Sequence, residues 1–296
     1  MVGWVQKKPA GMVKKIIMDN RLKTIVGLAS LAMVGSAQAD LIVTYAELPG
    51  AVNSTLQNTS VDNFTGVTSG QPNNPNPLAS GQYLNLPWTG TGAQAGQTIG
   101  TINQVFLQNA DQYGGATSPS VYPVPSEGVG GPAAVPVTTL TLNTASGYFG
   151  MWWSAGDPAN VLQFFKGGVL EATYTTASLL GQLPGTYKGN PTTQFLGQDS
   201  SQGFAFLNFY GLGGVTWDQI VLSNLGSSGF ESDNWTSRVQ PWGAEPGETG
   251  AVPGVQVSDV QVAAVPEPAN VVAGLGVALV FATDAFRRSR RAAAKG

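Results

Sequence analysis

Strand-like runs separated by glycine turns, in the second half of the chain, constrain its fold more than any other sequence feature. The segment VTTLTL (137–142) alternates threonine with leucine, a period of two that is typical of a strand with one buried face. GYFGMWW (147–153) is almost continuously aromatic, which predicts a strand buried on both faces. VLQFF (161–165) and VLEATYT (169–175) flank Lys166-Gly167-Gly168, so together they predict a hairpin with a short glycine turn.

Further runs of the same kind extend this pattern along the chain. They are Leu41–Tyr45, Ile102–Leu107, Phe204–Tyr210, Thr216–Leu222, Phe230–Trp235 and a valine-rich run from Val255 to Val262. Residues 66–136 are rich in glycine and proline, so we expect long loops there and no central strand. Short strands at near-regular spacing predict an all-β fold, an antiparallel two-sheet β-sandwich of jelly-roll-like type with long Gly/Pro/Asn-rich loops.

The composition excludes several kinds of chemistry. The chain has no cysteine and no histidine, so it can form no disulfide, no Cys or Ser-His-Asp nucleophilic site and no His-ligated metal site. Between residues 40 and 264 only Lys166, Lys188 and Arg238 are basic, against fourteen carboxylates from Asp40 to Asp259. Such an acidic body cannot neutralise a phosphate backbone, so nucleic acid is excluded as a partner.

The N-terminal residues have the layout of a secretory signal peptide, which we assign to residues 1–39. Basic residues precede an apolar run, Thr24–Val34, and the small-residue sequence Ala37-Gln38-Ala39 lies immediately before Asp40. This pattern predicts an N-terminal signal helix, export through the Sec machinery and cleavage just before the aspartate. The leader is unusually long, so Met18 is an alternative start.

The C-terminal segment, residues 265–296, combines three features in order. Val265-Pro266-Glu267-Pro268 comes first, the apolar run Ala269–Ala282 follows, and the basic residues after it are Arg287, Arg288, Arg290 and Arg291. A helix over the apolar run would be about 21 Å long at ~1.5 Å per residue, which is short of the ~30 Å hydrocarbon core of a bilayer. We therefore predict a weakly held C-terminal transmembrane helix with the arginines on its cytoplasmic flank.

These two ends resemble the PEP-CTERM family of exosortase-dependent surface proteins, which occur in Gram-negative bacteria that make exopolysaccharide. The resemblance rests on the Val265–Pro268 sequence, the apolar run and the arginine cluster, together with a signal peptide at the other end; Asp284 departs from the usual apolar run. It implies transient anchoring in the inner membrane, recognition and cleavage by an exosortase, and a final location at the cell surface or in the extracellular matrix of a biofilm.

The body is also similar to a β-sandwich subfamily of these surface proteins. Asp157 and Asn160 occupy the positions of an Asp-x-x-Asn motif after an aromatic strand, and a Phe-Glu-x-Asp-Asn motif falls at 230–234. The similarity covers roughly residues 115–265, and Trp153-Ser154-Ala155-Gly156 departs from the subfamily's Trp-Gly-Ser pattern. It implies a location and a fold, without an established activity.

A first candidate ligand site is the turn that contains Asp157 and Asn160. The side-chain oxygens of these residues could bind Ca²⁺ or sugar hydroxyls. Asp157 precedes Pro158, however, and an Asp-Pro step is how a type I turn begins, with the Asp side chain accepting a backbone N–H. We therefore favour an ordinary turn over a ligand site here.

A second candidate site lies in the late motif. Glu231 and Asp233 are two residues apart on one predicted strand, so their side chains should point to the same face and could share one Ca²⁺ ion. Asn234 adds a further oxygen, and Asp218 on a neighbouring strand could join them. The alternative, which we favour, is a solvent-facing polar row. A carboxylate pair could also serve a glycosidase, but no sequence signature selects that use.

The aromatic residues of the body form a third candidate, a flat face for stacking sugars. The residues considered are Trp152, Trp153, Trp217, Trp235, Trp242, Tyr148 and Tyr210. Trp152 and Trp153 should point to opposite faces of one strand, so at most one of them fills the main core. Such residues are more often buried in a core than exposed on a sugar-binding face.

Two functions of different class remain open. The one that we favour is a non-catalytic surface or matrix protein with polysaccharide as its candidate ligand, no assigned catalytic residue and Ca²⁺ as the only candidate cofactor. The alternative is a secreted carbohydrate-active enzyme that uses paired carboxylates. Carboxylates that line one concave cleft would favour the enzyme, whereas carboxylates scattered over strands and turns would exclude it.

Overall fold

The structure, a computed structural model, describes residues 41–64, 83–116, 121–127, 137–226 and 228–258. The cleavage site and signal helix expected in residues 1–40 and the sorting motif and transmembrane helix expected in residues 265–296 lie outside the described residues. Within the described ranges, no helix has both the length and the apolar character that a membrane crossing requires. The architecture is therefore that of the body alone.

Antiparallel strands make up most of the described chain. Their bounds are β1 Leu41–Tyr45, β2 Ser60–Asp62, β3 Leu84–Trp88, β4 Thr91–Gly92, β5 Gly100–Val105, β6 Leu107–Asn109, β7 Val121–Pro123, β8 Thr138–Ser146, β9 Tyr148–Trp153, β10 Asn160–Lys166, β11 Val169–Thr175, β12 Ala205–Gly211, β13 Trp217–Asn224, β14 Ser232–Arg238 and β15 Val255–Gln256. Three short 3-10 turns accompany them, at Leu180–Gln182, Gly185–Tyr187 and Thr193–Phe195. The all-β prediction is confirmed.

Two sheets contain all of these strands except β6 and β7, which form a separate two-stranded ribbon. One sheet has the strand order β15-β1-β12-β9-β14-β2-β4, and the other has the order β11-β10-β13-β8-β5-β3. From β8 to β14 successive strands cross from one sheet to the other, except at the β10–β11 hairpin. The two sheets pack face to face as an antiparallel sandwich.

The core between the two sheets is continuous and rich in aromatic residues. Phe149 and Phe209 of the seven-stranded sheet meet Phe164 of the six-stranded sheet, with ring centroids 6.0 and 5.1 Å away from the Phe164 ring. All three rings are buried, together with Trp153 and Trp217. Removing this much apolar surface from water is the main source of stability in a body that has no disulfide.

The opposite face of β9 is covered as well. Trp152 packs with Phe204 and Phe206 in an outer cluster, away from the core between the sheets, and is buried. Strand β9 is therefore buried on both faces, as its aromatic sequence predicted, and Trp152 and Trp153 point into different clusters.

The predicted hairpin is also confirmed. Gly167 and Gly168 join β10 to β11, and their φ angles of 56° and 79° are those of a left-handed two-residue turn, which favours glycine. The carboxylate of Asp218, on β13, accepts hydrogen bonds from the Gly167 N–H at 3.1 and 3.0 Å. Asp218 thus caps the hairpin from the adjoining strand.

The loop-rich part of the chain contains more strand than its sequence predicted. Strands β3, β4 and β7 lie in this part and β2 lies just before it, all where no strand was expected. Pro87 lies in β3 and Pro123 in β7, and both strands are outside the sheet centres: β3 is at an edge and β7 belongs to the ribbon. The expectation that prolines exclude central strands therefore holds.

The first and last described strands are neighbours at one edge of the seven-stranded sheet. Val255 of β15 lies opposite Tyr45 of β1, and Gln256 lies opposite Thr44. Strand β15 begins where the valine-rich run predicted a last strand, and the residues of that run beyond 258 lie outside the described ranges. Because β15 runs antiparallel to β1, the chain enters β1 and leaves β15 at the same end of the sheet.

Candidate functional site

A cavity of about 330 Å³ lies at the end of the sandwich where β9 and β13 finish and β14 begins. Its lining residues are Gln108, Tyr113, Tyr122, Glu127, Ala155, Asp157, Gln202, Ser228 and Glu231. Three of these side chains are carboxylates, and every other one except the alanine is an amide or a hydroxyl that can hydrogen-bond. We call this cavity the acidic pocket.

The loop that carries Glu127 follows β7 and is fixed through its backbone. The Phe230 N–H donates to the Pro125 carbonyl at 2.8 Å, and Glu127 pairs with Ser228 in an isolated antiparallel bridge. The Tyr83 hydroxyl donates to the Glu127 carbonyl at 2.6 Å. The backbone of Glu127 is thus held in place while its side chain lines the cavity.

Asp157 both shapes a turn and lines the pocket. Its Oδ1 accepts from the Ala159 N–H at 2.8 Å, and its carbonyl accepts from the Asn160 N–H at 3.1 Å, so the predicted turn chemistry is confirmed. Its other oxygen, Oδ2, accepts from the Ser228 hydroxyl at 2.7 Å. One carboxylate oxygen therefore closes the turn, while the other faces the loop between β13 and β14.

Glu231 lies just before β14 and is 8 % exposed. A Cβ placed on Gly229 would lie 2.6 Å from Glu127 Oε2 and 3.1 Å from Glu231 Oε1, so these two oxygens are no farther apart than the sum of those distances. Gly229 itself has a φ of 91°, where a side chain would be strained. This glycine keeps open the space that the two carboxylates share.

Every charge that shifts the pKa of Glu231 is negative. Burial raises this pKa well above its usual range, and repulsion from Glu127, Asp157 and Asp111 raises it further. Burial also raises the pKa of Glu127, with a smaller contribution from Asp111. In the part of the chain that the structure describes, no lysine or arginine lines the pocket to offset these charges.

Asp111 and Tyr122 form a hydrogen-bonded wall beside these carboxylates. The Tyr122 hydroxyl donates to Asp111 Oδ1 at 2.9 Å, and the Tyr113 and Gly114 N–H groups donate to the same oxygen at 2.8 and 3.2 Å. Burial and the negative charges of Asp111 and its neighbours raise the pKa of Tyr122 well above its ordinary value. Tyr122 therefore keeps its proton, and Asp111 is occupied as a structural acceptor.

Asn160 supports the pocket and does not line it. Its side chain is buried, and its Oδ1 accepts from Asn224 Nδ2 at 2.7 Å. Asn224 Nδ2 also donates to the Gly229 carbonyl, and Asn224 Oδ1 accepts from the Gly226 N–H at 2.7 Å. Asn160 and Asn224 thus tie the start of β10 to the loop that carries Glu231.

Asp218 does not lie on a strand next to β14, so that expectation is wrong. Strand β13 pairs with β10 and β8 in the six-stranded sheet, whereas β14 belongs to the other sheet. The chain crosses between the sheets after β13, and proximity in sequence does not reveal such a crossing. The carboxylate of Asp218 is engaged at the β10–β11 hairpin instead.

The favoured picture of a solvent-facing polar row is also wrong. Asp233 and Asn234 are 1 % and 2 % exposed, and Glu231 is buried as well. Asp233 accepts from the Ala116 and Asn234 N–H groups, each at 2.7 Å, and does not line the acidic pocket. Strand β14 begins only at Ser232 and is irregular after Asp233, so the regular strand geometry that would align Glu231 with Asp233 does not apply.

The aromatic residues considered for sugar stacking are buried, with one exception. The buried ones are Trp152, Trp153, Trp217, Trp235, Tyr148 and Tyr210. Trp242 is half-buried and lines a second cavity of about 430 Å³, next to the ion pair between Arg238 and Glu248. A broad aromatic platform is therefore not available.

Among residues 41–258 with their gaps, no group of three or more carboxylates lies close enough to hold a metal ion. Glu127, Asp157 and Glu231 nevertheless line one concave cavity. The carboxylates are thus not all scattered over strands and turns, which is the arrangement that would have excluded an enzyme. The pocket can accept hydrogen bonds from a ligand and can attract positive charge.

Several residues of this site could not be predicted from the sequence. Glu127, Tyr122 and Asp111 come from the loop-rich half, where no periodic pattern marks them, and Ser228 lies in a short connection. The one available signal was Asp111-Gln112-Tyr113-Gly114, whose Asp and Gly are typical of a turn closed by an aspartate side chain. That signal indicates a turn and does not indicate a pocket.

A scan against protein-family models and searches of curated proteins and of solved structures found no match to this chain.

Proposed function

We propose that this chain is an exported cell-surface or exopolysaccharide-matrix protein of a Gram-negative bacterium that is processed by an exosortase. In this proposal residues 1–39 are a signal peptide, residues 40–264 are the secreted body and residues 265–296 are a PEP-CTERM sorting segment. The order of motifs in the sequence supports it.

The finer features of the fold belong to the same proposal. We infer a signal helix before Asp40 and a temporary transmembrane helix after Pro268. For the body we infer a jelly-roll-like topology. The crossing of successive strands from sheet to sheet between β8 and β14 supports that topology, because jelly rolls are double-sheet barrels built from strands that alternate in this way.

Processing can be tested by changing Pro266, Glu267 and Pro268 to alanine in the native host. Prolines keep a segment extended and free of helix, so their loss should remove the recognised cleavage region. The expected result is an uncleaved precursor held in the inner membrane, while the unchanged protein begins at Asp40 by N-terminal sequencing. Mass spectrometry that recovers intact peptides through Arg287 from the surface protein would refute exosortase processing.

We further propose that the body binds polysaccharide without catalysis and that the acidic pocket is the binding site. The lining carries this proposal: carboxylates, amides and hydroxyls surround a cavity whose volume lies at the lower end of the ~300–1,000 Å³ typical of small-ligand sites. Such groups suit the donor and acceptor pattern of sugar hydroxyls. Tyr113, a residue that is 40 % exposed, lines the cavity, and its ring can offer an apolar surface to a sugar face.

Binding can be tested on a glycan array with the purified full chain, with and without Ca²⁺. The expected result is retention of at least one polysaccharide fragment by the unchanged chain and by Glu47→Gln, which alters an exposed carboxylate outside the pocket. The Glu231→Gln variant should lose that retention. If no glycan is retained under either condition, polysaccharide binding is refuted.

A specific observation favours a second candidate, a carbohydrate-active enzyme. Glu231 has a strongly raised pKa and shares a cavity with two other carboxylates, which is how a general acid is set beside a base or nucleophile. In that case Glu231 would protonate the leaving oxygen, and Glu127 or Asp157 would serve the second role. New reducing ends released from a bound polysaccharide, and lost in Glu231→Gln, would establish the enzyme; binding without product supports the non-catalytic proposal.

A further inference from the structure

The carboxylate of Glu231 is a buried acceptor without a donor from the rest of the described body. The residue is more than nine-tenths buried and lines the acidic pocket. Apart from its own backbone N–H, no group in the described ranges donates a hydrogen bond to this carboxylate. A buried charged group in this state destabilises the free protein. A hydrogen-bond donor on a bound ligand would satisfy it.

The chemistry of that donor follows from the surrounding charges. Glu127 and Asp157 share the cavity with Glu231, and Asp111 lies close enough to raise the pKa of both glutamates. A neutral hydroxyl could donate to one oxygen, but the repulsion among the carboxylates would persist. A positively charged donor satisfies the acceptors and offsets the repulsion together, because charge-assisted hydrogen bonds are about twice as strong as neutral ones.

The size and shape of the cavity argue against a bare metal ion. Calcium binds six to eight oxygens at about 2.3–2.6 Å, and among the described residues no group of three carboxylates converges to that degree. The volume of about 330 Å³ leaves room for a ring as well as a charge. The amides of Gln108 and Gln202 and the exposed ring of Tyr113 line the cavity and are suited to contact that ring.

We propose that the acidic pocket binds a polysaccharide that carries free amino groups, with the ammonium group of one sugar placed between Glu127 and Glu231. This inference rests on the proposed function of polysaccharide binding and specifies the class of sugar. N-acetylated sugars lack the charge, and uronic acids carry the opposite one. The pocket should therefore prefer a deacetylated amino sugar to both.

Titration calorimetry of the purified full chain can test this inference with four probes of equal length. The probes are a glucosamine oligomer, its N-acetylated counterpart, a galacturonic acid oligomer and a lysine peptide. One charge-assisted hydrogen bond in a buried site should make the glucosamine oligomer bind about tenfold tighter or more than the N-acetylated oligomer. The uronic acid oligomer should not bind.

Variants then locate the site. Glu231→Gln and Glu127→Gln should each weaken glucosamine-oligomer binding about tenfold or more, by the same argument. Glu47→Gln, outside the pocket, should leave it unchanged, which controls for general attraction of a cation to an acidic protein. Near-ultraviolet circular dichroism checks that each variant is folded, and either pocket variant alone is sufficient for the test.

The other possible binding results refute either the amino-sugar preference or polysaccharide binding itself. Equal binding of the acetylated and free oligomers, or tighter binding of the uronic acid oligomer, refutes the amino-sugar preference and leaves polysaccharide binding standing. A lysine peptide that binds as tightly as the glucosamine oligomer, with equal sensitivity to Glu231→Gln, shows a general cation site and also refutes it. The absence of binding to any saccharide refutes this inference and the proposed binding function together.

Discussion

At the scale of single residues, Glu231 is a charge that the folded body accommodates at a cost to stability. Burial and three neighbouring carboxylates raise its pKa, so its ionised form is disfavoured in the folded state. We expect Glu231→Gln to increase the free energy of unfolding at pH 8 by about 1–2 kcal/mol, because glutamine brings no charge into the buried site. Urea denaturation at pH 8 and pH 4 measures this difference in unfolding free energy. The difference should be smaller at pH 4, where the glutamate is protonated.

The matched control is Glu47→Gln, which removes an exposed carboxylate and should leave the unfolding free energy within experimental scatter. A destabilised Glu231→Gln at pH 8 would contradict the expectation, since it would mean that contacts in the pocket favour the charged form. A gain in stability together with lost ligand binding is the common pattern of a functional residue.

Asn224 is the residue on which the pocket loops depend most. Its side chain is buried and hydrogen-bonds to Asn160, to the Gly229 carbonyl and to the Gly226 N–H. Asn224→Ala removes the partner of the buried Asn160 side chain and of the buried Gly229 carbonyl, so we expect a loss of about 2–3 kcal/mol in the free energy of unfolding. Urea denaturation tests this. Asn103→Ala, at a partly exposed site, should lower the free energy of unfolding by less than about 0.5 kcal/mol. Equal losses in the two variants would contradict the role given to Asn224.

At the scale of elements, the β10–β11 hairpin depends on backbone conformation at its two glycines. Gly168 has a φ of 79°, and a Cβ there would meet no atom within 4 Å, so alanine would be strained only by its backbone. We expect Gly168→Ala to lower the unfolding free energy by about 1 kcal/mol.

Gly185 provides the matched control for that substitution. A Cβ at Gly185 also meets nothing within 4 Å, but its φ lies outside the left-handed region. Gly185→Ala should therefore leave stability unchanged or raise it by a few tenths of a kcal/mol. Thermal melting of both variants tests this. An equal loss of stability in the two would show that the left-handed turn conformation is not what makes Gly168→Ala destabilising.

The strands that could be predicted from the sequence are those whose residues follow a recognisable hydrophobic pattern. Strand β8 alternates threonine with leucine and β9 is continuously aromatic, so burial on one face or on both could be inferred before the structure was known. Strands β2, β4 and β7 have at most three residues each, which is too short for a period to be recognised. They form because neighbouring strands offer unpaired backbone groups, and the local sequence does not encode those neighbours.

The residues of the acidic pocket could also be predicted only in part from the sequence. Asp157 and Glu231 were singled out because both belong to motifs, and both line the cavity. Asp218 and Asp233 were expected beside Glu231, but a crossing between sheets and an irregular strand place them elsewhere. Glu127 was missed because it is brought to the site by a bridge to Ser228, a long-range pairing that leaves no local sequence pattern.

At the scale of the whole molecule, buried acids should make the body more stable in mild acid than in base. Burial raises the pKa of Asp62 to about 6 and that of Asp233 to about 7, both from 3.8, and the pKa of Glu231 is raised as well. Between the unfolded and folded pKa values, the folded state holds protons that the unfolded state has released. The free energy of unfolding therefore falls as pH rises through this window.

We expect the free energy of unfolding to be about 2–4 kcal/mol larger at pH 5 than at pH 8, at about 1.4 kcal/mol per unit of pKa difference. Burial would raise the pKa of Glu248, but the ion pair with Arg238 lowers it below its usual value. Glu248 therefore changes the free energy of unfolding only at pH values below this window, and it does not offset the trend. Urea denaturation at the two pH values measures it. Stability that is flat or higher at pH 8 would show that the buried acids remain ionised at little cost.

The antiparallel pairing of β15 with β1 also determines how a tethered body would be presented. Tyr45, at the end of β1, pairs with Leu207 near the pocket end of the sheet, whereas Leu41 pairs with Gly211 at the far end. Strand β15 runs from beside Tyr45 back toward that far end, so the polypeptide departs on the side remote from Glu231. A molecule held to an envelope by the segment that follows would therefore turn its pocket outward, toward arriving polymer.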